Sequence, residues 1–276
     1  MNKLSLVLYV TFLIVVSGLR ISHIVEVHSA EDPKHQSVEH HNASNNHSEE
    51  EDSGCRNGLH VQSPVNIVLK ETKRKKHSAV LILDYKQPIT GSFNWNGHTW
   101  QLNISDKSNY RVKYTDPVTV KKYEYELLQL HSHVQSEHTI NGVRYPFEIH
   151  FVHKLITNDP SYQFQYLVIG IIADNKSHTS KIFDQLNANQ ESTFSALPEV
   201  IRGHRLIHYK GSLTTPPYSE AVNWFVVRKI YYISEEKIKG FHEELKARLG
   251  HDSNYRLSCN LDERRLFSLR GQTSTN

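Results

Sequence analysis

From about residue 80 onward, the chain consists of short runs of β-branched and aromatic residues separated by turn signals. Such runs are typical of β-strands, and Thr90-Gly91, Asn96-Gly97, Asn141-Gly142 and Asn158-Asp159-Pro160 mark turns between them. The predicted strands cover residues 80–83, 93–104, 123–133, 147–156, 162–173 and 221–230. Two segments predict helices, 180–187 and 234–248. Because no repeat or linker follows residue 55, the sequence predicts a single β-rich α+β domain. We expect a large, mostly antiparallel twisted central sheet with a few peripheral helices.

The first 53 residues differ in character from the rest of the chain. Lys3 precedes an apolar run over 4–16, and Ser17-Gly18 offers a small-residue cleavage site. This pattern predicts a signal peptide over 1–18, with a second cleavage point after Ala30. A membrane-spanning helix needs about 20 apolar residues, so no stable anchor is expected, although an uncleaved anchor is the alternative. Residues 19–53 are polar, acidic and histidine-rich, as in a linker or propeptide. The folded domain is expected over 54–270, with a tail over 271–276.

A signal peptide predicts a secreted, extracellular glycoprotein. Asn42, Asn46, Asn103 and Asn175 each begin a glycosylation tripeptide. Cys55 and Cys259 are the only cysteines, and an oxidising compartment favours a disulfide between them. Two free thiols or an intermolecular link remain the alternatives.

Charge gives little indication of a macromolecular partner. The formal net charge is only +3, which does not indicate a nucleic-acid partner. The basic run from Lys70 to Lys76 is the one local concentration of positive charge. Such a run is usually a solvated connection, and a patch for an anionic surface is the alternative. The oligomeric state is not predicted.

His131-Ser132-His133 places two imidazoles on one face of a predicted strand, because side chains alternate along a strand. Asn141-Gly142 is a strong signal for a two-residue hairpin turn. A hairpin symmetric about that turn places His150 directly opposite His133 and brings a third imidazole to the same face. Gln129 and Glu148 lie two residues before His131 and His150, where they can accept hydrogen bonds from the rings.

Three imidazoles on one face fit a zinc ion that keeps its fourth tetrahedral position open for water. An open position is typical of catalytic zinc, whereas structural zinc is held by four protein ligands. The alternative is a chance pair of exposed histidines in a chain that contains 19 of them. The hairpin register, together with Gln129 and Glu148, favours zinc as the cofactor.

Several separate motifs resemble the α-class carbonic anhydrases. They are Gln62-Ser63-Pro64-Val65-Asn66-Ile67, Asn96-Gly97-His98, Gln129-Leu130-His131-Ser132-His133, Ser136-Glu137-His138-Thr139, Glu148-Ile149-His150-Phe151-Val152-His153, Gly211-Ser212-Leu213-Thr214-Thr215-Pro216-Pro217 and Asn254-Tyr255-Arg256. The resemblance extends from about Cys55 to Leu269. The short connection between the two histidine motifs is similar to that of the plant and bacterial-type members.

The resemblance implies a role for each matching residue. His131, His133 and His150 would bind zinc, with Gln129, Glu148 and Asn254 supporting them. Thr214 would accept a hydrogen bond from a zinc-bound hydroxide and donate its own proton to Glu137. Thr215 would help to bind bicarbonate, and His98 would carry protons between the site and buffer. The apolar residues that would line the carbon dioxide side are Val152, Val168, Leu213, Val222 and Trp224.

The implied function is reversible hydration of carbon dioxide to bicarbonate and a proton by the zinc-bound hydroxide. Carbon dioxide and bicarbonate are the only partners implied. The alternative is a silent member of the same fold that acts as a binding or storage protein. One feature favours this alternative: the family's usual Trp/Tyr-Gly segment before the Gln62 motif is missing here. Ester hydrolysis is expected only as a side activity. Secreted members often pair a cysteine near the position of Cys55 with one just after the two prolines, where this chain has Tyr218.

Overall fold

The computed structural model describes residues 55, 61–74 and 80–274, which all belong to one compact unit. Sixteen strands occur in these residues. In chain order they are β1 (Asn66–Ile67), β2 (Lys73–Arg74), β3 (Val80–Tyr85), β4 (Ile89–Trp95), β5 (Trp100–Asn103), β6 (Tyr110–Thr115), β7 (Lys122–Val134), β8 (Thr139–Ile140), β9 (Val143–Arg144), β10 (Phe147–Leu155), β11 (Tyr166–Lys176), β12 (Gln190–Phe194), β13 (Arg205–Gly211), β14 (Val222–Val227), β15 (Tyr231–Ser234) and β16 (Phe267–Thr273). The α-helices of the described residues are α1 (Leu197–Gly203) and α2 (Glu235–Leu249).

Thirteen of these strands form one large sheet, and β1, β8 and β9 form a small second sheet. The large sheet is mixed: most neighbouring strands are antiparallel, whereas β11–β14, β11–β15, β16–β2 and β16–β3 are parallel. β10 lies between β7 and β11 and pairs antiparallel with both. The predicted β-rich single domain on a large, mostly antiparallel sheet is therefore confirmed.

β10 is covered on both faces, because its residues are buried from Phe147 to His153. Phe147, Ile149 and Phe151 point into the main apolar core. Glu148 and His150, which alternate with them, point to the opposite face. The same strand thus anchors the core and presents polar groups on its other side.

The sequence predicted α2 well. The Ser234 hydroxyl accepts a hydrogen bond from the backbone N–H of Lys237, and Gly250 ends the helix with a left-handed φ of 78°. By contrast, the helix predicted over 180–187 is wrong. That segment contains only a 3₁₀ turn, Lys181–Phe183, and the Ser180 side chain does not cap it.

Other predicted boundaries also differ from the structure. The run 93–104 is divided between β4 and β5, and Thr90-Gly91 lies inside β4 instead of in a turn. The strand predicted from residue 162 begins at Tyr166, and α1 was not predicted. Residues 271–273 do not belong to a tail, because β16 runs through Thr273 and pairs with β3.

The predicted disulfide is confirmed: Cys55 and Cys259 are bonded across a sequence separation of 204 residues, with Cα atoms 5.5 Å apart. Cys259 also forms a β-bridge with Val65, next to β1. The signal peptide, the linker, Asn42 and Asn46 lie outside the described residues. Among the described residues, no helix is long and apolar enough to cross a membrane.

Candidate metal centre

The hairpin that carries the three histidines has the predicted turn but a different register. Asn141 and Gly142 both have positive φ, 50° and 82°, as a type I′ turn requires. However, His150 lies opposite His131, and Glu148 lies opposite His133. The predicted pairing of His133 with His150 is therefore wrong by two residues.

The shift arises because the turn belongs to the small sheet. There Thr139 pairs with Arg144 across the turn. Four residues connect β7 to β8, but only two connect β9 to β10. The pairing of β7 with β10 is therefore shifted by two residues from the register of the turn. A shift of two residues leaves every side chain on its original face, because the pleat has a period of two. The three histidines therefore still meet.

The three imidazoles form a compact cage. One ring nitrogen from each of His131, His133 and His150 lies within 4.8 Å of the others. His133 and His150 are buried and His131 is partly buried. The sheet thus holds three nitrogen ligands on one side of the space between them.

The second nitrogen of each ring has its own acceptor. The Nδ1–H of His131 donates to Gln129 Oε1 at 2.9 Å, and the Nε2–H of His150 donates to Glu148 Oε1 at 2.9 Å. The Nδ1–H of His133 donates to the backbone carbonyl of Asn254 at 3.0 Å. These contacts match the predicted supporting positions and fix the tautomer of each ring.

Fixed tautomers leave a lone pair on each nitrogen that faces the cage. His150 Nδ1 and His131 Nε2 lie 3.3 Å apart, and both are acceptors once their other nitrogens carry the proton. His133 Nε2 is buried and accepts no hydrogen bond within the described residues. Three converging lone pairs repel one another unless a cation lies between them. Two ligands held about 2.0–2.1 Å from a tetrahedral ion are about 3.3 Å apart, so the observed spacing fits zinc.

The environment also favours the neutral form of His131 and of His133, as metal binding requires. Burial, together with repulsion from His133 and His150, holds the pKa of His131 well below its usual value. Burial is likewise the largest influence on His133 and lowers its pKa. A proton therefore does not compete strongly for the lone pairs of these two rings.

Glu148 links the cage to a second buried histidine, which the sequence analysis did not assign. Its Oε1 accepts from His150 and from the Nδ1–H of His138 at 2.8 Å, and its Oε2 accepts from the backbone N–H of His138 at 2.9 Å. Tyr209 continues this network at His138 Nε2, at 2.7 Å. Although burial raises the pKa of the Glu148 carboxyl, His138 and His150 bring it well below its usual value. Glu148 is therefore a fixed, ionised acceptor.

A glycine makes room for this carboxylate. Gly170 lies opposite His150 on β11, and a Cβ added there would be 2.9 Å from Glu148 Oε1. Sequence reasoning missed this residue, but a signal existed, because a glycine inside an apolar strand often marks a close approach.

Glu137 and Thr214 both lie beside the cage. Glu137 is buried, its Oε1 accepts the backbone N–H of Arg256 at 3.0 Å, and its Oε2 lies 3.5 Å from His133 Nε2. Thr214 is buried at the same cleft, but Glu137 Oε2 accepts no hydrogen bond within the described residues. The predicted bond from the Thr214 hydroxyl is therefore not made in this structure.

An open cleft leads from the cage to solvent. Its lining includes His131, His133, Glu137, Thr214, Thr215 and His98. His98 is exposed, and Asn254 holds its backbone by donating from Nδ2 to the His98 carbonyl at 3.0 Å. The Asn254 side chain also accepts from the backbone N–H of Val134 at 2.8 Å. One asparagine thus connects the loop of His98, the strand β7 and, through its own carbonyl, the ring of His133.

The five predicted apolar residues do not line this cleft. They pack in a separate apolar cluster, which contains Val152, Val168, Val222 and Trp224, with Leu213 against it. Trp224 contacts the cage directly, since its ring centroid lies 4.8 Å from that of His150. The structure therefore places these residues in an apolar cluster beside the cage.

Comparisons with known proteins agree with this geometry. The model of the eukaryotic-type carbonic anhydrase family matches residues 43–270. A "putative carbonic anhydrase 3" of Caenorhabditis elegans is 30% identical over 227 residues, which cover 75% of this chain and 89% of that protein. "Alpha carbonic anhydrase 2" of Arabidopsis thaliana is 33% identical over 177 residues, 62% of this chain and 69% of that protein.

The fold has solved relatives as well. The α-carbonic anhydrase of Thermovibrio ammonificans, solved in complex with the inhibitor sulfanilamide, superimposes with a TM-score of 0.58 at 27% identity, covering 79% of this chain and 90% of that one. A halotolerant carbonic anhydrase from Dunaliella salina superimposes with a TM-score of 0.62 at 19% identity, covering 77% of this chain and 89% of that one. At this identity the similarity shows the shared fold alone. With its β-rich sheet, its histidine cage and a family match over most of its length, the chain belongs to the α-class carbonic anhydrases and is a carbonic anhydrase enzyme.

Proposed function

We propose that this protein catalyses the reversible hydration of carbon dioxide with a zinc ion held by His131, His133 and His150. The observation that carries the proposal is the convergence of three imidazole lone pairs, two of them on buried rings, while the other nitrogen of each ring is hydrogen-bonded. Zinc supplies one piece of chemistry when bound: it lowers the pKa of a water ligand to about 7, as is established for carbonic anhydrases. Residues of the chain orient the ligands, bind the substrate and transfer the proton.

Those residues orient the ligands and the reacting groups. Gln129, Glu148 and the Asn254 carbonyl hold the three rings in the metal-binding tautomer. Glu137 Oε2, buried and without a partner among the described residues, is available to accept the Thr214 hydroxyl proton. A threonine oriented in this way accepts a hydrogen bond from the attacking oxygen and directs its lone pair. We assign Thr215, exposed in the same cleft, to bicarbonate binding.

Each turnover leaves a proton that must reach buffer. Histidine is the side chain whose charge changes nearest to neutral pH, so it suits proton transfer. His98 lies exposed at the cleft, and we assign it as the residue whose imidazole takes that proton. We also propose that uncharged carbon dioxide approaches the reacting oxygen along the apolar cluster that contacts His150 through Trp224. This cluster contains Val152, Val168, Val222 and Trp224, with Leu213 against it.

We also propose that the protein is secreted and glycosylated. The Cys55–Cys259 disulfide supports this proposal, because disulfides persist in oxidising compartments. Asn103 and Asn175 are exposed, which leaves both accessible to glycosylation. Expression in a secretory cell line, with sequencing of the mature N-terminus and digestion by an N-glycosidase, tests both points. A protein retained in the cytosol would contradict them.

The catalytic proposal is tested by measuring zinc content and carbon dioxide hydration on the same preparation. We expect one zinc per chain, rapid hydration and inhibition by sulfanilamide. His150→Ala should lose both zinc and activity, whereas His178→Ala, at an exposed histidine outside the cleft, should lose neither. A wild-type protein without zinc would overturn the proposal. Stoichiometric zinc without hydration would instead support the silent member of the fold.

The shuttle assignment has its own control. His251 also lines the cleft, and its Nδ1–H donates to the Ser253 carbonyl at 2.6 Å. His98→Ala should lower turnover in dilute buffer and regain it when imidazole is added, while His251→Ala should change it little. If His251→Ala alone reproduces this behaviour, the assignment of His98 is wrong.

A further inference from the structure

The carbonic anhydrase site does not account for a row of four arginines on the large sheet. Arg205 on β13 lies directly opposite Arg270 on β16. Arg74 on β2 pairs with Ser268, two residues before Arg270 and so on the same face. The backbone N–H of Arg228 donates to the Arg205 carbonyl and continues the β13–β14 register by one step. Three of these residues lie on the neighbouring strands β2, β16 and β13, and Arg228 directly follows β14, the next strand of the sheet. The four residues are called the arginine row.

The row is a concentration of positive charge for which the described part of the chain supplies no carboxylate partner. Arg74, Arg228 and Arg270 are exposed, and Arg205 is partly buried. No carboxylate of the described residues forms an ion pair with any of them; the ion pairs of arginine and lysine in those residues all lie elsewhere. The pKa of Arg205 is lowered, first by partial desolvation and then by repulsion from Arg74, Arg270 and Arg228. Like charges directly opposite one another destabilise a sheet, so this arrangement has a cost that folding does not explain.

The positive surface continues beyond the row. Arg228 also lines a surface depression together with Lys70, Asn66 and Asn141. Lys70 and Arg74 belong to the basic run whose two interpretations from sequence were a solvated connection and a patch for an anionic surface. None of these residues lines the cleft of the histidine cage. The basic surface is therefore a feature separate from the catalytic site.

The dimensions of the row favour an extended anion. Neighbouring strands are about 4.8 Å apart, so four arginines across three gaps span about 15 Å. One small anion cannot contact guanidinium groups distributed over that length, whereas repeated anionic groups along a chain can. Guanidinium also binds sulfate-like and carboxylate groups through two parallel hydrogen bonds.

The side chains around the arginine row distinguish between nucleic acid, a membrane surface and an acidic polysaccharide as its ligand. Single-stranded nucleic acid is usually held by stacking on aromatic side chains as well as by charge, and membrane surfaces usually also take apolar side chains. The large apolar residues exposed among the described residues are Val118, Val120, Val143, Ile156 and Leu249; none is aromatic and none lies on the four strands of the row. If the protein is secreted, as proposed above, the polyanions available to it are extracellular. We propose that the arginine row binds an acidic polysaccharide, a linear chain of repeated sulfate or carboxylate groups.

The test uses the full chain, with heparin as the sulfated probe and hyaluronan as the carboxylated probe. The row variant changes Arg74, Arg205, Arg228 and Arg270 to Gln. The matched control changes four exposed lysines elsewhere to Gln and has the same net charge: Lys86, Lys122, Lys154 and Lys246. Each exposed ion contact typically contributes a factor of about two to five, so the row variant should bind heparin about tenfold more weakly or worse.

Three further readouts separate this site from general attraction. The control variant should keep most of the affinity, and a four-fold Arg→Lys variant should fall between the two. Carbon dioxide hydration should be the same in all variants, since the row is outside the cleft. The row variant should melt no lower than the wild type, because the repulsion between its arginines is removed. Equal losses in the row and control variants would overturn the proposal. So would tighter binding of single-stranded DNA, or of phosphatidylserine vesicles, than of either polysaccharide.

Discussion

Gly170 provides the sharpest test of how the sheet builds the metal centre. It lies directly opposite His150, in a strand whose neighbouring positions Ile169 and Ile171 are fully buried. A methyl group at this position would be 2.9 Å from Glu148 Oε1, which is closer than carbon and oxygen approach without displacement. It would also be 3.6 Å from His150 Cδ2, an ordinary contact. Gly170→Ala therefore acts mainly on the Glu148 carboxylate.

The carboxylate cannot withdraw without consequence, because three hydrogen bonds from His138 and His150 hold it. Disturbing a group that supports a metal ligand typically lowers metal affinity by about 10–100-fold, or about 1.4–2.7 kcal/mol. Overpacking a buried site costs about 1–3 kcal/mol. For a domain of this size, 1 kcal/mol shifts the melting temperature by about 2–4 °C, so the metal-free variant should melt about 2–12 °C lower.

Two measurements on the same protein test this reasoning: competition for zinc against a chromophoric chelator, and thermal unfolding with and without zinc. Gly240→Ala is the matched control, since a Cβ at that position in α2 meets nothing within 4 Å. It should leave zinc affinity unchanged and raise the melting temperature slightly, because alanine favours a helix over glycine by about 1 kcal/mol. Unchanged zinc affinity and stability in Gly170→Ala would refute the proposed steric role. A lower melting temperature with unchanged affinity would show that the clash is relieved without moving Glu148.

Three further predictions concern stability. Burial lowers the pKa of His153 to about 4, so its neutral form stabilises the fold fully above pH 6.5 and this contribution is lost as the pH falls towards 4. The expected loss of unfolding free energy is about 3 kcal/mol. Urea unfolding at pH 7 and pH 4.5 measures it, and the unfolding free energy of His153→Gln should change less between these pH values than that of the wild type. An identical change in both proteins would contradict the prediction. Ser234→Ala removes the cap of α2 and should lower the unfolding free energy by about 1 kcal/mol, measured by urea unfolding against exposed Ser92→Ala. Cys259→Ser opens the 204-residue loop and should cost about 5 kcal/mol in the chain-entropy account; a loss below about 1 kcal/mol would contradict that account.

The strands were predictable where local pattern and tertiary environment agree. Alternating or continuous apolar runs located β7, β10, β11 and β14, because their periodicity reflects burial in the sheet. The segment 180–187 failed for the opposite reason. Its apolar residues Ile182, Phe183 and Leu186 have helical spacing, but the main core buries them without a helix. Short segments of this kind are decided by tertiary packing, which the local pattern does not contain.

The metal centre shows which part of a site a sequence can determine. The symmetric hairpin gave the wrong partner for His133, yet the same three ligands, because a two-residue slip keeps the face of every side chain. A slip of one residue would have turned His150 into the core and Ile149 towards the histidine cage, so the alternation of apolar and polar residues along β10 excludes it. The face was therefore predictable although the register was not. His138 could not be found in this way, since the four-residue connection between the two sheets, and not the pleat of β10, carries it to Glu148. The positions that a connection supplies depend on its path through space, and they are the ones for which the structure was needed.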